Sequence, residues 1–491
     1  MAYKKEKIHS VKYNFVMNFI LTASNFIFPL ISFPYVSRVL HAAGNGKINF
    51  AASVANYFLM VASLGIPIYG VKACAKVRED KISLSKTAQE ILIINLVATV
   101  LVTSTYVICV LTVPQFNQER TLFFIEGINI ILNMFGANWL YQALEKYDYI
   151  AFRSILFKLV SVILMFLLIH QQSDYKIYAF ITVFAAVGSN VLNFLRLYKY
   201  ISFKKSGIYN FKQHIKPIVI LFAQNVTISI YTNLDTVMLG FMKGNNEVGL
   251  YTAAVKIKGI LLSIVSSLGN VMLPRMAYYV QKGNEAKFND LMNKALNAVL
   301  FMALPLCVYF FCESKDSILF LAGDDYLGAV NAMQIITFSI IPNALTGVLG
   351  IQVLTPLNKE KIVLQSVIVG ASSDFLLNLF MIPVWGAAGA ALATTIAEFL
   401  VLAVQLVLGR NIISSAAKDI RYRLFRYSYF SIIALVPTVL IKFLPLTNSF
   451  LILLLTAIMF FGMYATVLFF SKDEFFYEII NNKITGKLIR K

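Results

Sequence analysis

The amino-acid sequence predicts an all-α integral membrane protein with fourteen transmembrane helices. Hydrophobic residues make up 58% of the 491 residues, charged residues make up only 14%, and the mean hydropathy is +0.72. This composition cannot supply the polar shell that a soluble domain of this size needs. Apolar runs of about 20 residues recur along the whole chain, and runs of this length cross a bilayer as helices.

The apolar runs are bounded by charged residues or by clusters of Gly and Pro, which allows the spans to be placed. They are predicted at residues 13–37, 47–70, 84–113, 121–144, 151–171, 176–197, 214–241, 248–274, 288–312, 327–355, 360–383, 386–408, 424–445 and 449–470. The first run is too long for the apolar core of a signal peptide, and no small-residue cleavage site follows it. We therefore expect fourteen retained spans, with both termini on one side.

Basic residues are distributed very unequally between the two sides of this topology. Of the 43 lysines and arginines, 34 lie on the side of the termini and seven on the opposite side, while Lys256 and Lys258 lie inside the eighth span. The positive-inside rule then makes both termini cytoplasmic. The net charge of +19 therefore reflects topology and contact with anionic lipids. Nucleic-acid binding is not expected, because no folded polar domain is left to perform it.

The sequence contains no pattern typical of an enzyme, a metal site or a cofactor site. The segments predicted on the outer side are short, which excludes an extracytoplasmic catalytic domain. The four cysteines lack CxxC spacing, and no nucleotide-binding loop or catalytic triad is recognisable. The four histidines lie at span ends, which argues against a buried histidine relay: His9, His41, His170 and His214. We expect neither catalytic residues nor a bound metal.

A weak internal repeat organises the spans into two lobes. Gly46 follows the first span and Gly249 the seventh, and in both places an Ala-Ala pair enters the next helix. Two sets of six spans that begin on the same side form a parallel repeat, which is typical of transporters with a path between the lobes. We predict an N-lobe at 1–200 (spans 1–6) and a C-lobe with a basic linker at 201–409 (spans 7–12). Residues 410–491 add spans 13 and 14 and a cytoplasmic tail.

Six short segments carry a more specific signal. In order they are Phe33–Leu40 (FPYVSRVL), Ala62–Gly70 (ASLGIPIYG), Asn138–Glu145 (NWLYQALE), Thr232–Asp235 (TNLD), Val271–Arg275 (VMLPR) and Ile382–Ala391 (IPVWGAAGAA). Together they resemble the Wzx-type polysaccharide flippases of the multidrug/oligosaccharide-lipid/polysaccharide (MOP) superfamily. The likeness extends over most of spans 1–12, and it implies a MATE-like fold of two six-helix lobes with two extra C-terminal helices.

The resemblance also implies a function. Such proteins move a polyprenyl-diphosphate-linked glycan, such as a capsule, O-antigen or teichoic-acid precursor, from the cytoplasmic to the outer leaflet of the bacterial cell membrane. They are expected to work by alternating access through a cationic cavity between the lobes, beside glycan polymerase or ligase machinery. Two alternatives are a multidrug or cation antiporter of the same superfamily and a membrane glycan polymerase. The polymerase would require a large external loop.

Lys256 and Lys258 are the most unusual residues of the chain, because a lysine at the centre of a span costs about 2.5–3.5 kcal/mol. They lie two residues apart, about 200° around a helix, so both cannot face one point. One interpretation is that at least one of them binds the substrate phosphate as a compact point charge. The alternative is a structural ion pair with Asp235, which lies at a similar depth on the seventh span.

Other charged residues near or within the spans have two interpretations each. Arg38 and Lys47 bracket the external turn after span 1, where they could receive the phosphate head group or anchor the chain at the interface. Asp374 and Glu398 lie within spans 11 and 12, where a carboxylate suits coupling to Na⁺, H⁺ or the membrane potential, or simply packs with hydrogen bonds. Arg153, Lys158 and Arg196 lie near the inner ends of spans 5 and 6, where we expect them to snorkel toward the cytoplasm; the alternative is that they line the cavity.

Overall fold

The computed structural model describes residues 11–205, 207–443 and 445–478. Within these ranges the chain forms helices and connecting turns and no β-strand. It divides into two compact units, the first ending at Gly249 and the second beginning at Leu250. Lys4, Lys5, Lys7 and the end of the predicted cytoplasmic tail lie outside the described residues. The predicted lobe boundaries at 200 and 409 stay predictions.

The first unit is built from ten α-helices in the part of the chain that is described. Their bounds are α1 Val11–Ser63, α2 Ile66–Lys76, α3 Lys81–Thr112, α4 Pro114–Gln118, α5 Arg120–Gly136, α6 Asn138–Ala143, α7 Tyr147–Leu168, α8 Tyr175–Val183, α9 Asn190–Arg196 and α10 Lys212–Met242. A π-helical segment, Phe184–Gly188, joins α8 to α9, and 3₁₀ turns at Gln172–Asp174 and Leu197–Lys199 extend this stretch at both ends.

The second unit begins within the first turns of the next helix. Its helices are α11 Asn245–Gln281, α12 Glu285–Cys312, α13 Ser314–Leu321, α14 Val330–Thr337, α15 Ile340–Thr346, α16 Glu360–Leu408, α17 Arg410–Ala434, α18 Val436–Lys442 and α19 Ser449–Phe470. A 3₁₀ turn, Asp324–Ala329, precedes α14, and a π-helical segment, Gly347–Leu354, continues α15.

The helices are consistent with the predicted number of spans. Among the described residues ten helical stretches are long and apolar enough to cross a membrane, or eleven when a bent pair is counted as one span. Helices α1 and α16, of 53 and 49 residues, each contain a break, at His41 and Gly386. Each therefore holds two predicted spans in one continuous helical segment. The all-α membrane prediction is confirmed, and fourteen crossings fit these bounds.

Helix α16 folds back on itself at its break. A Cβ on Gly370 would lie 2.3 Å from Cγ2 of Val401, and the Gln405 amide donates to Oγ of Ser366 at 3.2 Å. Both pairs are centred on Gly386, so the two halves pack as an antiparallel hairpin. Gly386 has φ 56°, a backbone conformation that glycine adopts without strain. The register of the hairpin puts Asp374 at the level of Ala397, next to Glu398.

The two glycines of the sequence repeat meet in the first unit. A Cβ on Gly46 would lie 1.6 Å from the carbonyl oxygen of Asn245 and 2.9 Å from the nitrogen of Gly249. A Cβ on Gly249 would lie 1.9 Å from the carbonyl oxygen of Ala42. The turn that follows the first span and the turn between α10 and α11 therefore pack backbone against backbone. Only glycine allows this close approach.

The fourth and tenth predicted spans, which the repeat relates, are both interrupted helices. Ala137 adopts a left-handed conformation, φ 41°, between α5 and α6. The segments Asp324–Thr337 and Ile340–Leu354 are bent by 41° relative to each other. The corresponding interruptions agree with a shared architecture for the two sets of spans.

The snorkelling prediction is wrong for Arg153. Its side chain is only 5% exposed, and it donates to the carbonyl of Ser189 at 2.8 Å and to Oδ1 of Asn138 at 3.0 Å. These oxygens replace the hydrogen bonds to water that the guanidinium loses when it is buried. Lys158 likewise donates to Oγ of Ser24 on α1, at 2.9 Å. Arg153 and Lys158 thus tie helices of the first unit together.

Candidate substrate-binding site

The second unit brings two polar helix faces together where α11 packs on the second half of α16. The hydroxyls of Tyr251 and Thr394 lie 3.1 Å apart and are both buried. Lys258 follows Tyr251 by two helical turns, and Glu398 follows Thr394 by one turn. Residues at these spacings share a face of an α-helix. The Tyr251–Thr394 contact therefore aligns Lys258 with Glu398.

Lys258, Glu398 and Asn343 form a buried polar cluster at this contact. The Nζ atom of Lys258 lies 3.9 Å from Oε1 of Glu398, and their side chains are 12% and 5% exposed. The amide of Asn343, from α15, donates to the same carboxylate oxygen at 2.7 Å. Three separate helices thus contribute one cation, one anion and one neutral donor to a single point in the apolar part of the unit.

The ammonium of Lys258 is balanced by Glu398 without being hydrogen-bonded to it. A charge-assisted N–H···O bond is about 2.7–2.9 Å long, which is much shorter than the 3.9 Å observed. Within the described residues Lys258 donates no hydrogen bond. Its three N–H donors can therefore be offered to an anion that enters the cluster. This combination of compensated charge and available donors suits reversible binding of a phosphate.

The other charged residues predicted within the spans lie on α10, α11 and α16. Lys256 is half-buried on α11. It lies about 200° around the helix from Lys258. Asp374 is fully buried in the first half of α16, and Asp235 is 6% exposed on α10 of the first unit. The pairing of Asp235 with a lysine and the coupling roles of Asp374 and Glu398 stay predictions. The Lys258–Glu398 contact is a pairing that sequence reasoning did not propose.

Arg38 and Lys47 lie at the end of span 1 in the first unit, each with a partner of its own. Arg38 is exposed and donates to the carbonyl of Pro34, one turn earlier, at 2.6 Å. Lys47 forms an ion pair with Glu119 at 2.5 Å and lies 4.8 Å from the centre of the Tyr175 ring. Both interpretations of Arg38 and Lys47, a role toward phosphate and anchoring at the interface, stay predictions.

Glu119 lies between spans and completes this arrangement. The hydroxyl of Tyr175 donates to its other carboxylate oxygen at 2.7 Å. Burial alone would raise the pKa of Glu119, but the hydrogen bonds from Lys47 and Tyr175 and the charge of Lys47 outweigh it and lower the pKa below its ordinary value. Glu119 is therefore held as a carboxylate at neutral pH.

Sequence reasoning missed a buried pair in the first unit. His214 and Glu90 are 3% and 0% exposed, and Nε2 of His214 lies 2.7 Å from Oε2 of Glu90. The position of His214 at a span end had argued against a buried role. A glutamate within the apolar run of α3 was the available signal. Among the described residues, no group of His, Cys, Asp or Glu side chains is arranged to hold a metal ion.

The fold is similar to those of solved membrane transporters, one of which is described as a member of the MOP superfamily. The solved structure titled "Lipid II flippase MurJ, inward closed conformation" has a TM-score of 0.73 and 16% identity, and covers 94% of this chain and 99% of its own. An inward-facing MATE family multidrug resistance transporter has a TM-score of 0.62 and 13% identity, and covers 82% of this chain and 99% of its own. At these identities the likeness concerns the fold.

Comparison of the amino-acid sequence with protein families identifies the family of this chain. The family described as "Polysaccharide biosynthesis protein" matches residues 11–280, more than half of the chain, and MatE matches residues 221–384. A relative named "Putative O-antigen transporter" from Escherichia coli (strain K12) is 23% identical over 404 residues, which cover 82% of this chain and 97% of the relative. The chain belongs to the polysaccharide biosynthesis protein family. The predicted Wzx-type resemblance is confirmed, and the protein is a transporter rather than an enzyme.

Proposed function

We propose that this protein is a flippase that moves a polyprenyl-diphosphate-linked glycan from the cytoplasmic to the outer leaflet of a bacterial cytoplasmic membrane. The observation that carries the proposal is the cluster of Lys258, Glu398 and Asn343. A diphosphate that crosses about 30 Å of hydrocarbon needs a cation within the membrane. That cation must not be locked in a permanent ion pair. Lys258, compensated by Glu398 but free to donate, meets that requirement.

Relatives support the same direction. The Escherichia coli relative is named as an O-antigen transporter, and the MurJ structure is titled as a lipid II flippase. One name describes the transport of O-antigen, and the other describes the flipping of lipid II. Capsule, O-antigen and teichoic-acid precursors share the diphosphate that Lys258 would bind, and the cluster distinguishes none of these glycans from the others.

The cluster suggests how binding and release could alternate. An incoming phosphate oxygen would take the donors of Lys258 and leave Glu398 without its cation. A buried carboxylate without a counter-charge is costly, so a coupling ion, Na⁺ or H⁺, would take the place of Lys258 beside Glu398. When the anion leaves, the Lys258–Glu398 contact reforms and the proton or Na⁺ is released. Glu398 would then couple transport to the ion gradient, with Asp374 at the same level of the α16 hairpin.

Sidedness follows from the basic residues. With both termini cytoplasmic, the lysine-rich turns face the cytoplasm, where the lipid-linked glycan is assembled. Polymerase or ligase machinery on the outer side would then consume the product. We further propose, as the resemblance implies, that the substrate crosses by alternating access along a path between the two lobes.

A cation antiporter of the same superfamily is the second candidate, and the MatE match to residues 221–384 favours considering it. A site for organic cations would depend on acidic residues and would bind more tightly when a neighbouring lysine is removed. Lys258→Ala should therefore increase cation transport if the protein is an antiporter and abolish glycan transport if it is a flippase.

Deletion of the gene in its native host tests the proposed function. We expect a lipid-linked glycan to accumulate on the cytoplasmic side, where externally added glycosidase or periodate cannot reach it. Complementation with the wild-type gene should restore external access, and Lys258→Ala at matched protein level should not. Normal surface glycan in the deletion strain, with no intermediate accumulating, would contradict the proposal.

A further inference from the structure

A basic cavity in the first unit includes His214 in its lining and none of the residues of the Lys258 cluster. It has a volume of about 600 Å³ and opens at the C-terminal end of α2 and the N-terminal end of α10. Lys72 and Lys76 from α2 and Lys216 from α10 line it. Lys72 and Lys76 are four residues apart and so share one face of their helix. Three ammonium groups therefore surround one hollow.

Nothing in the wall of this cavity compensates these charges. No aspartate or glutamate is among its lining residues, and within the described residues none of the three lysines forms an ion pair. Like charges grouped around one hollow raise its positive potential and attract anions. The repulsion among the lysines would be relieved when an anion enters.

The floor of the cavity is held in place by a buried hydrogen-bond network. His214 contacts Glu90 through Nε2 and the hydroxyl of Tyr69 through Nδ1, both at 2.7 Å. The backbone N–H of Asn210 donates to the other oxygen of Glu90 at 2.7 Å, and the amide of Gln213 donates to Glu90 at 3.2 Å. This network fixes the start of α10 to α2 and α3. The three lysines thus project from helices whose relative positions are fixed.

The lining also has an apolar side. Val77, Pro217, Ile220 and Leu221 lie beside the lysines, and Ile220 is 54% exposed. A ligand that satisfies both parts carries a phosphate group and an adjoining apolar portion. Lysine ammonium groups bind phosphate as point charges, and the volume is within the range of small-molecule sites.

We propose that this cavity binds the phosphate head group of a membrane lipid. Two lipids offer that chemistry, an acidic phospholipid and a polyprenyl diphosphate. The proposed topology puts the cavity at the cytoplasmic interface, where both occur. The inference goes beyond the proposed function because it concerns a site in the first unit that the Lys258 cluster does not include. It holds or fails independently of transport.

Equilibrium binding of a fluorescent phosphatidylglycerol to the purified full-length protein in detergent tests the proposal. We expect wild-type protein to bind it in preference to the matched phosphatidylcholine. Lys72→Ala, Lys76→Ala and Lys216→Ala should each weaken binding about fivefold, and the triple variant should lose the preference. Lys81→Ala and Lys199→Ala remove exposed lysines outside the cavity and should keep wild-type affinity. Because all three cavity lysines are exposed, the variants should fold, which thermal melting checks.

Competition identifies the source of the phosphate. Displacement of the fluorescent lipid by undecaprenyl diphosphate at lower concentration than by unlabelled phosphatidylglycerol would assign the cavity to the carrier lipid. The reverse order would assign it to a phospholipid, and both results support the proposal. Equal binding of phosphatidylglycerol and phosphatidylcholine, or unchanged affinity for both phosphate lipids in the triple variant, would overturn it.

Discussion

Lys258 and Glu398 approach each other to 3.9 Å inside the second unit, while Asn343 donates to the same glutamate oxygen at 2.7 Å. The carboxylate is therefore hydrogen-bonded by a neutral amide, and the lysine balances its charge from outside hydrogen-bond range. A purely structural pair would be expected to close to direct contact. The open geometry is what makes Lys258 a candidate ligand for phosphate.

A double-variant comparison separates binding from stability at this pair. Lys258→Ala leaves Glu398 as a buried charge without its cation, so we expect a loss of about 3 kcal/mol in stability. Lys258→Ala combined with Glu398→Gln removes both charges and should recover most of that stability. Transport should stay abolished in the double variant, because the phosphate ligand is still missing. Thermal melting and glycan export measure the two quantities.

Lys258→Arg is the matched control, since it keeps a cation at the same position. It should retain part of the transport activity and most of the stability. If the double variant recovers export together with stability, the pair is structural and Lys258 does not bind substrate.

The contact between Gly46 and Gly249 gives a prediction about folding. Gly46→Ala would put a Cβ 1.6 Å from the carbonyl of Asn245, so the two turns must separate. We expect a strong decrease in folded protein and in melting temperature, and the same for Gly249→Ala. Gly462→Ala is the control, because a Cβ there meets nothing within 4 Å among the described residues. That change in α19 should be neutral or slightly stabilising. Equal melting temperatures for all three variants would contradict the close approach.

The Lys47–Glu119 contact predicts a pH dependence. The pKa of Glu119 is lowered in the folded protein, so its contribution to stability is complete above the unfolded value of about 4.3 and is lost as the pH falls through the lower folded value. We expect Glu119→Gln to cost about 1 kcal/mol or less at pH 6–8. The difference in melting temperature should close below about pH 4. A difference that grows on acidification would contradict the ion pair.

The sidedness can be tested on two exposed loop positions. Lys282, between α11 and α12, is predicted to be cytoplasmic, and Thr447, just before α19, is predicted to be external. A membrane-impermeant maleimide added to intact cells should label Thr447→Cys and leave Lys282→Cys unlabelled until the cells are opened. The reverse pattern would invert the topology, and with it the direction of transport. The parent protein with its own four cysteines measures the background.

Much of the architecture could be predicted from the sequence because apolar run length and the sidedness of lysine are strong signals in a membrane chain. Breaks inside helices were only partly visible. His41 and Gly386 each lie at or beside a turn predicted between two spans, but the helical backbone continues on both sides of each break, which the span boundaries did not predict. The buried position of Arg153 could not be predicted, because its acceptors come from Ser189 and Asn138, which are distant in sequence.

The sequence predicted which charged residues belong to the candidate site better than it predicted which of them contact each other. A lysine within a span is conspicuous in the sequence because its insertion into the membrane costs free energy, so Lys258 could be selected as a candidate. Its partner depends on which face of α11 meets which face of α16, and the hairpin register at Gly386 decides that. Depth along the spans favoured Asp235, while the fold brings Glu398 to Lys258. His214 was missed because its burial depends on Glu90 and Tyr69 from two other helices.

The most direct measurement of the central claim is transport by purified protein in proteoliposomes that contain the lipid-linked glycan accumulated by the deletion strain. Movement is followed by the fraction of glycan that becomes accessible to an added glycosidase. Wild-type protein should increase that fraction severalfold over empty liposomes, while Lys258→Ala should match empty liposomes despite a correctly inserted protein. Equal movement with and without wild-type protein, or full activity of Lys258→Ala, would contradict a flippase that binds its substrate through Lys258.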